Sequence, residues 1–347
     1  MKKKPIAIVT GGAGFIGSHM VDLLLSRGFH VRVIDNFVGG HRRNLQHHVN
    51  HPDLIIVQED ICNLSAPHPL FADVSYVFHF AGIGDIVPSI EQPINYMHIN
   101  VIGTVKVLEC ARAAGVKKVV YASSSSCYGL AKTPTSETHP IAPQYPYALS
   151  KYQGEQALFH WYQVYGLPVN SIRIFNAYGT RVRTTGAYGA VFGVFFKQKL
   201  AGKPFTVVGD GTQRRDFVYV TDIVNAFLKA AETSLSGEFW NLGAGNPQSI
   251  NYLVDLIGDN GIEYIPQRPG EPDCTWADIS KIQKDLNWQP TVSFVEGVER
   301  MMLEIENWRD APLWDKETIA TATATWFKYL GGQRSKVDVI ETIPQQD

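Results

Sequence analysis

Along the first third of the chain, apolar residues come in short unbroken runs rather than in strict alternation. Five runs, at residues 5–10, 31–35, 54–58, 76–80 and 118–123, read as strands. Each is rich in β-branched and aliphatic residues and is bounded by polar or glycine positions, which suits a strand covered on both faces. Between them, residues 14–27 and 96–114 carry helical spacing. The second puts Val101, Val105, Val107 and Leu108 on a helix whose Gly103 and Thr104 leave room for close packing. Apolar strands separated by helices predict a parallel sheet covered on both faces, the doubly wound α/β arrangement.

Beyond residue 147 the pattern loosens. An aromatic-rich helix is predicted over 147–165, then a strand over 169–175, a loop over 176–189, a helix over 190–200 and a turn at Gly209-Asp210-Gly211. Helices follow at 221–232, 250–257, 279–286, 294–308 and 317–329, before an unassigned polar tail. No internal repeat or low-complexity linker appears. The expected organisation is a nucleotide-binding half, 1–175, a smaller interleaved substrate half, 176–310, and a C-terminal helix and tail, 311–347.

Composition narrows the partners. A chain of 347 residues that is 45% hydrophobic can bury one large or two modest cores. A net charge of −2 gives no reason to expect nucleic acid or an anionic membrane surface. The apolar run at 6–9 after the basic start is too short for a signal peptide, and no stretch approaches a membrane span. Cys62, Cys110, Cys127 and Cys274 are scattered without metal spacing, so reduced thiols in a cytoplasmic protein and no metal are expected.

Two constellations carry chemistry. Gly11-Gly12-Ala13-Gly14-Phe15-Ile16-Gly17 follows a strand and opens a helix, the context in which glycines let backbone approach a pyrophosphate at a helix N-terminus. Asp35 ends the second strand, where a carboxylate can accept from an adenosine ribose hydroxyl and repel a 2′-phosphate. NAD is therefore expected over NADP, with Arg42 and Arg43 near enough to temper that choice. Tyr147 and Lys151 lie four apart on one helix face, so the ammonium can sit near the phenol. A free tyrosine titrates near 10, so a base at neutral pH needs a shift of roughly 3 units, about 4 kcal/mol. A cation supplies part of that. The serines Ser123, Ser124, Ser125 and Ser126 close an apolar strand at the ligand end of such a sheet, with Ser124 and Ser126 on one side of an extended segment; Ser123 and Ser125 could be ordinary turn formers.

Further motifs join these: His79-Phe80-Ala81-Gly82, Asn100-Val101-x-Gly103-Thr104, Arg173-Ile-Phe-Asn176, Arg215-Asp216-Phe-Val-Tyr-Val-x-Asp222 and Leu286-Asn-Trp288-x-Pro290. Together, over roughly residues 5–305, they resemble the extended short-chain dehydrogenase/reductase family, in particular its nucleotide-sugar epimerases of the UDP-glucose 4-epimerase type. The resemblance implies Tyr147 as general base, Lys151 as its cationic partner and holder of the nicotinamide ribose, and Ser124 as the hydroxyl that orients substrate. It also implies an NAD site from Gly11, Gly14, Phe15, Ile16, Gly17, Asp35, Asn36, Asp60, Ile61, Phe80, Ala81, Gly82, Asn100, Ser123, Tyr147 and Lys151. Substrate would meet Ser124, Ser125, Ser126, Tyr147, Asn176, Arg215 and Arg268, with Thr206 and Val208 flanking the nucleobase.

The reaction implied is C4 epimerisation through a transient 4-keto sugar and bound NADH. Dehydrating or decarboxylating relatives carry an acid just after the catalytic hydroxyl residue, whereas this chain reads Ser125-Ser126-Cys127. A dehydratase or other nucleotide-sugar oxidoreductase, or a noncatalytic dinucleotide-binding protein, are the alternatives. Hexose, hexuronate, N-acetylated and deoxy sugars all stay open, because Arg181 and Arg183 could read a carboxylate or be surface charges. Arg215 could instead pair with Asp216 or Asp222, Arg268 could be a solvated loop charge, and His79 is expected to be a satisfied strand-end residue. Asp85 is expected to be a solvated loop residue rather than a sugar contact. A homodimer through helices 96–114 and 147–165 is implied by the resemblance.

Overall fold

The computed structural model describes residues 4–182 and 191–332. The strands are β1 (Ile6–Thr10), β2 (His30–Asp35), β3 (Leu54–Gln58), β4 (Val74–His79), β5 (Lys118–Ser124), β6 (Val169–Ile174), β7 (Asn176–Tyr178), β8 (Phe205–Val208), β9 (Arg214–Arg215), β10 (Phe217–Tyr219), β11 (Glu238–Leu242), β12 (Gln248–Ser249) and β13 (Ile262–Ile265). The helices are α1 (Phe15–Ser26), α2 (Ile86–Glu91), α3 (Pro93–Met97), α4 (Thr104–Ala114), α5 (Pro146–Tyr165), α6 (Val191–Leu200), α7 (Val220–Glu232), α8 (Ile250–Ile257), α9 (Ser280–Leu286), α10 (Phe294–Leu303) and α11 (Lys316–Leu330).

Seven strands form one parallel sheet in the order β11-β6-β5-β4-β1-β2-β3. Its strands are apolar because helices cover both faces: one core packs around Val9, Val33, Phe78 and α7, the other around Ile8, Val77, Val119 and α4. The order reverses between β1 and β4, which opens a crevice at their carboxyl ends. A third core, around Tyr178, Phe192, Phe196, Phe205 and Trp308, supports the second half. No helix among the described residues is long and apolar enough to cross a membrane.

Three differences from the sequence expectation bear on how the site is built. Residues 176–178 form β7 rather than loop, because β10 pairs with them in parallel from forty residues away. β11, not anticipated at all, completes the sheet edge beside β6, so the chain returns to the first half with α7 and β11 after leaving it. The helix expected over 96–114 contains a π-helical stretch, His98–Gly103, between α3 and α4. That irregularity turns the Asn100 carbonyl toward α5, where Gly154 sits. A Cβ on Gly154 would stand 2.9 Å from that carbonyl oxygen and 2.5 Å from the Tyr121 hydroxyl, so only glycine permits the approach.

A buried ion pair ties α5 to β6. Glu155 accepts from the Arg173 guanidinium and from Ser171 Oγ at 2.9 Å, and Arg173 also donates to the Tyr128 hydroxyl at 2.8 Å. Both charges are buried, so removing one strands the other in low dielectric. Arg173→Met is expected to lower unfolding free energy by about 3–5 kcal/mol, read by urea denaturation; a loss below ~1 kcal/mol would show that the Glu155 charge finds solvent.

Candidate active site

The crevice is built from the turn that follows β1. Gly11 adopts φ +68°, and a Cβ there would lie 2.8 Å from the Ala81 backbone nitrogen. Gly14 caps α1, with its carbonyl accepting from the Ser18 amide, and Gly17 approaches the Gly11 carbonyl so closely that a Cβ would be 2.1 Å away. The loop therefore closes on itself, with Gly17 against the Gly11 carbonyl. Phe15 and Ile16 pack against the third core, joining the loop to the second half.

Asp35 is buried at the end of β2, and its two oxygens accept from the backbone amides of Ala13 (2.9 Å) and Phe37 (2.8 Å). Burial holds its pKa above the ordinary value, against those two hydrogen bonds. The carboxylate thus anchors the glycine turn and keeps lone pairs for a further donor. Asn36 donates to Asp60, which also accepts from the Cys62 amide, while the Ile61 side chain is buried against Gly103. Arg42 stacks on Phe37 and donates to Gln58 at 2.8 Å, so its guanidinium is engaged.

Past β4, the Ala81 amide donates to Thr10 Oγ1 and the Phe80 ring packs on Phe227. His79 is fully buried between Thr10 and Thr104, at 2.7 and 3.0 Å. Thr104 Oγ1 gives its proton to the Asn100 carbonyl, so it accepts from His79 Nε2–H, and Nδ1 accepts from Thr10. Burial pushes the His79 pKa down to about 3, so it stays a neutral connector, as expected from sequence. The Asn100 side chain closes the network: it accepts from the Ile83 amide and donates to the Ile83 carbonyl and to Ser150 on α5.

Ser124 ends β5 and caps a 3-10 turn, Ser125–Tyr128, with its Oγ 2.5 Å from Ser126 Oγ. The two hydroxyls meet through this turn and not through an extended segment, because Ser124 Oγ accepts from the Ser126 amide. Ser123 Oγ is buried and has no hydrogen-bond partner among the described residues. Tyr147 lies near the start of α5, where Pro146 occupies the first turn, and its phenol is hydrogen-bonded with Ser124.

Sequence spacing suggested that Lys151 would depress the Tyr147 pKa. Instead burial raises it, with the charge of Asp85 adding to the rise and the Ser124 hydrogen bond opposing it. Lys151 is 7% exposed, lies over the Tyr121 ring at 4.3 Å, and stands 3.8 Å from where a Cβ on Gly82 would be. Burial lowers its pKa to about 7, partly offset by Glu155. Desolvation outweighs spacing at both groups.

A cleft of about 530 Å³ opens beside this pair. Its lining brings together Ser124, Ser125, Ser126, Tyr147, Asn176, Thr206, Val208, Arg215 and Arg268, drawn from both halves. Thr206 is buried with its hydroxyl accepting from Gln198, and Asn176 accepts from Thr275. Arg215 pairs with neither Asp216 nor Asp222. Asp216 accepts the amides of Ala244, Gly245 and Ala277, and Asp222 holds Thr291 and Val292. Its partner is Glu271, at 2.8 Å, whose other oxygen is 3.7 Å from Arg268. Arg268 is therefore no solvated loop charge.

Asp85 also lines the cleft, at φ +79°, and is closer to the reacting region than a solvated loop residue would be. Arg181 is held elsewhere: it binds Asp22 at 2.7 Å on α1, whose other oxygen accepts from His47 and His48. Arg183 falls outside the described residues. The sequence reading missed Tyr145, parallel to Tyr147 at 6.4 Å and two residues before it, and Trp326 on α11, which also lines the cleft.

The family model for "NAD dependent epimerase/dehydratase family" matches residues 7–243. The chain belongs to that family. A UDP-glucose 4-epimerase of Mycolicibacterium smegmatis is 36% identical over 302 residues, 84% of this chain and 96% of that protein. A UDP-glucuronate 4-epimerase of Thermodesulfobacterium geofontis is 36% identical over 315 residues, 87% and 95%. The crystal structure of a Bacillus cereus UDP-glucuronic acid 4-epimerase, in complex with UDP-glucuronic acid and NAD, superposes with a TM-score of 0.81 at 32% identity, covering 87% of this chain and 99% of that one. For an NAD-dependent epimerase/dehydratase the crevice has the features a dinucleotide requires: a turn that excludes side chains, a helix N-terminus, a strand-end carboxylate and a buried lysine beside Gly82.

Lys151 also makes a pH-dependent contribution to stability. In the unfolded chain it keeps its proton to about 10.4, whereas the folded protein releases it near 7. Between those values unfolding takes up a proton, so stability rises with pH by at most ~1.4 kcal/mol per unit. Denaturation of cofactor-free protein across pH 6.5–9.5 should show wild type gaining on Lys151→Met as pH rises; parallel curves would contradict the low pKa.

Proposed function

We propose that this family member is an NAD-dependent nucleotide-sugar 4-epimerase. The observation that carries the reading is the Tyr147–Ser124 hydroxyl pair, standing where the crevice meets a cleft whose far side holds Arg215 and Arg268. The reaction needs a base at one sugar hydroxyl, cations for the diphosphate, and no added acid. Residues 125–127 are Ser-Ser-Cys, and burial pushes the Cys127 thiol up to about 12, so that turn offers no acid for elimination. This absence favours epimerisation over dehydration, and the assembled Tyr147, Ser124 and Lys151 set argues against a noncatalytic binder.

In the proposed site the Gly11–Gly17 turn holds the pyrophosphate, Asp35 and Asn36 the adenosine ribose, and Asp60 and Ile61 the adenine. Phe80, Ala81, Gly82, Asn100, Ser123 and Lys151 surround the nicotinamide end. NAD supplies the hydride acceptor and a positive charge that favours the phenolate. Tyr147 takes the proton of the C4 hydroxyl while Ser124 shares that hydrogen bond and fixes the oxygen. Ser126, bonded to Ser124, and Ser125 line the sugar end. Once the 4-keto sugar has turned in the cleft and hydride is restored to the other face of C4, Tyr147 returns the proton to the C4 oxygen. Asn176, Arg215 and Arg268 hold the diphosphate meanwhile, the guanidinium forks matching its oxygens, with Thr206 and Val208 beside the nucleobase.

The division at 1–175, 176–310 and 311–347 is proposed with α7 and β11 exchanged into the first half. Four unpaired thiols fit a reducing cytoplasm. Leu149, Tyr162, Val164 and Tyr165 on α5, with Ile94 and Ile102 before α4, stay exposed as one would expect of a covered dimer face.

Incubation with UDP-hexoses and a UDP-hexuronate, followed by NMR, should give the C4-inverted sugar with no net NADH. A 4-keto-6-deoxy product would favour the dehydratase instead. Tyr147→Phe should lose about 10²–10⁴ in turnover with NAD still bound; near-normal turnover would remove Tyr147 as the base. Light scattering should report twice the chain mass, and a monomer would count against the dimer.

A further inference from the structure

The relatives are matched over nearly their whole length, whereas 84–87% of this chain is used, and the motif resemblance stops near residue 305. The helix α11 lies beyond that point and reaches back over the cleft. It opens with a reciprocal cap between Asp315 and Thr318, and it buries one face through Ile319, Thr323 and Trp326. On one side it packs on α2 from the first half, where Thr325 Oγ1 donates to Glu91 at 2.9 Å. On the other, Trp326 Nε1 donates to the Pro269 carbonyl at 2.8 Å, and the Arg268 guanidinium lies over the indole at 5.5 Å. One helix thus touches both walls of the cleft, and its tryptophan, 6% exposed, forms part of the lining.

Arg268 rides on a loop without regular structure, where Gly270 turns at φ +73°. Glu271 and the Pro272 carbonyl tie the far end of this loop to Arg215, which leaves the Arg268 side to be ordered when an anion binds. The indole removes that requirement by fixing the backbone at Pro269 and giving the cation a ring face to lie on. We propose that α11 is a strap across the substrate cleft and that Trp326 is a positioning residue presenting Arg268 to the substrate diphosphate. This rests on the nucleoside-diphosphate reading of the cleft.

Calorimetric titration of the full-length protein with UDP and with uridine tests it, alongside melting curves. Trp326→Ala should weaken UDP about 10-fold while uridine binding stays within about twofold, because only the phosphate end depends on Arg268. Trp326→Phe keeps a ring under the cation and loses the N–H, and should weaken UDP about 3-fold; it decides the matter if the alanine variant does not fold. UDP binding unchanged in both variants, or equal losses for UDP and uridine, would overturn the strap. Wild type that binds neither ligand would instead overturn the reading of the cleft, and the strap with it.

Discussion

A chain of buried hydrogen bonds that can run in only one direction holds the crevice in shape. It starts at the Ala81 amide, passes through Thr10, His79 and Thr104, and ends on the Asn100 carbonyl. Each hydroxyl gives one proton, so the imidazole must carry its hydrogen on Nε2 and remain neutral. Through the Asn100 side chain the chain reaches the loop after β4 and Ser150 on α5, one residue before Lys151. The strand ends that form the crevice and the helix bearing Tyr147 are therefore one cross-braced unit. Loss of any link would leave a buried polar group unpaired, at about 1–3 kcal/mol.

Charge placement follows the same economy. At the reacting end, burial keeps the Tyr147 phenol protonated and lowers the Lys151 pKa to about 7; a positive ligand beside them would favour the phenolate, while Lys151 would depend on Glu155 to hold its own charge. At the far end the cations are already compensated, with Glu271 between Arg215 and Arg268. A diphosphate would meet guanidiniums whose desolvation has been met by a protein carboxylate, which bears on selectivity for anions that can replace it.

The sheet was readable from hydrophobic runs because two-sided burial demands apolar strands at every position. β1 to β6 and most of the helices stand within a few residues of their expected places. β11 was not readable: Glu238-Phe-Trp-Asn-Leu mixes polar and apolar residues, since Asn241 is buried only through bonds to Tyr128 and Thr135 from distant segments. Likewise β7 exists because β10 lies beside it.

Local order of residues was enough to specify the glycine turn, the Tyr147–Lys151 spacing and the serine run, because each is a short-range pattern on one strand end or one helix turn. What those groups feel was decided by the tertiary structure. The expected lowering of Tyr147 by Lys151 gave way to burial, Arg215 found Glu271 rather than its sequence neighbours, and Trp326 came from 179 positions beyond Tyr147 to line the same cleft. Spacing along a chain fixes which groups can share a face; desolvation and partner choice depend on everything packed around them, which only the folded protein supplies.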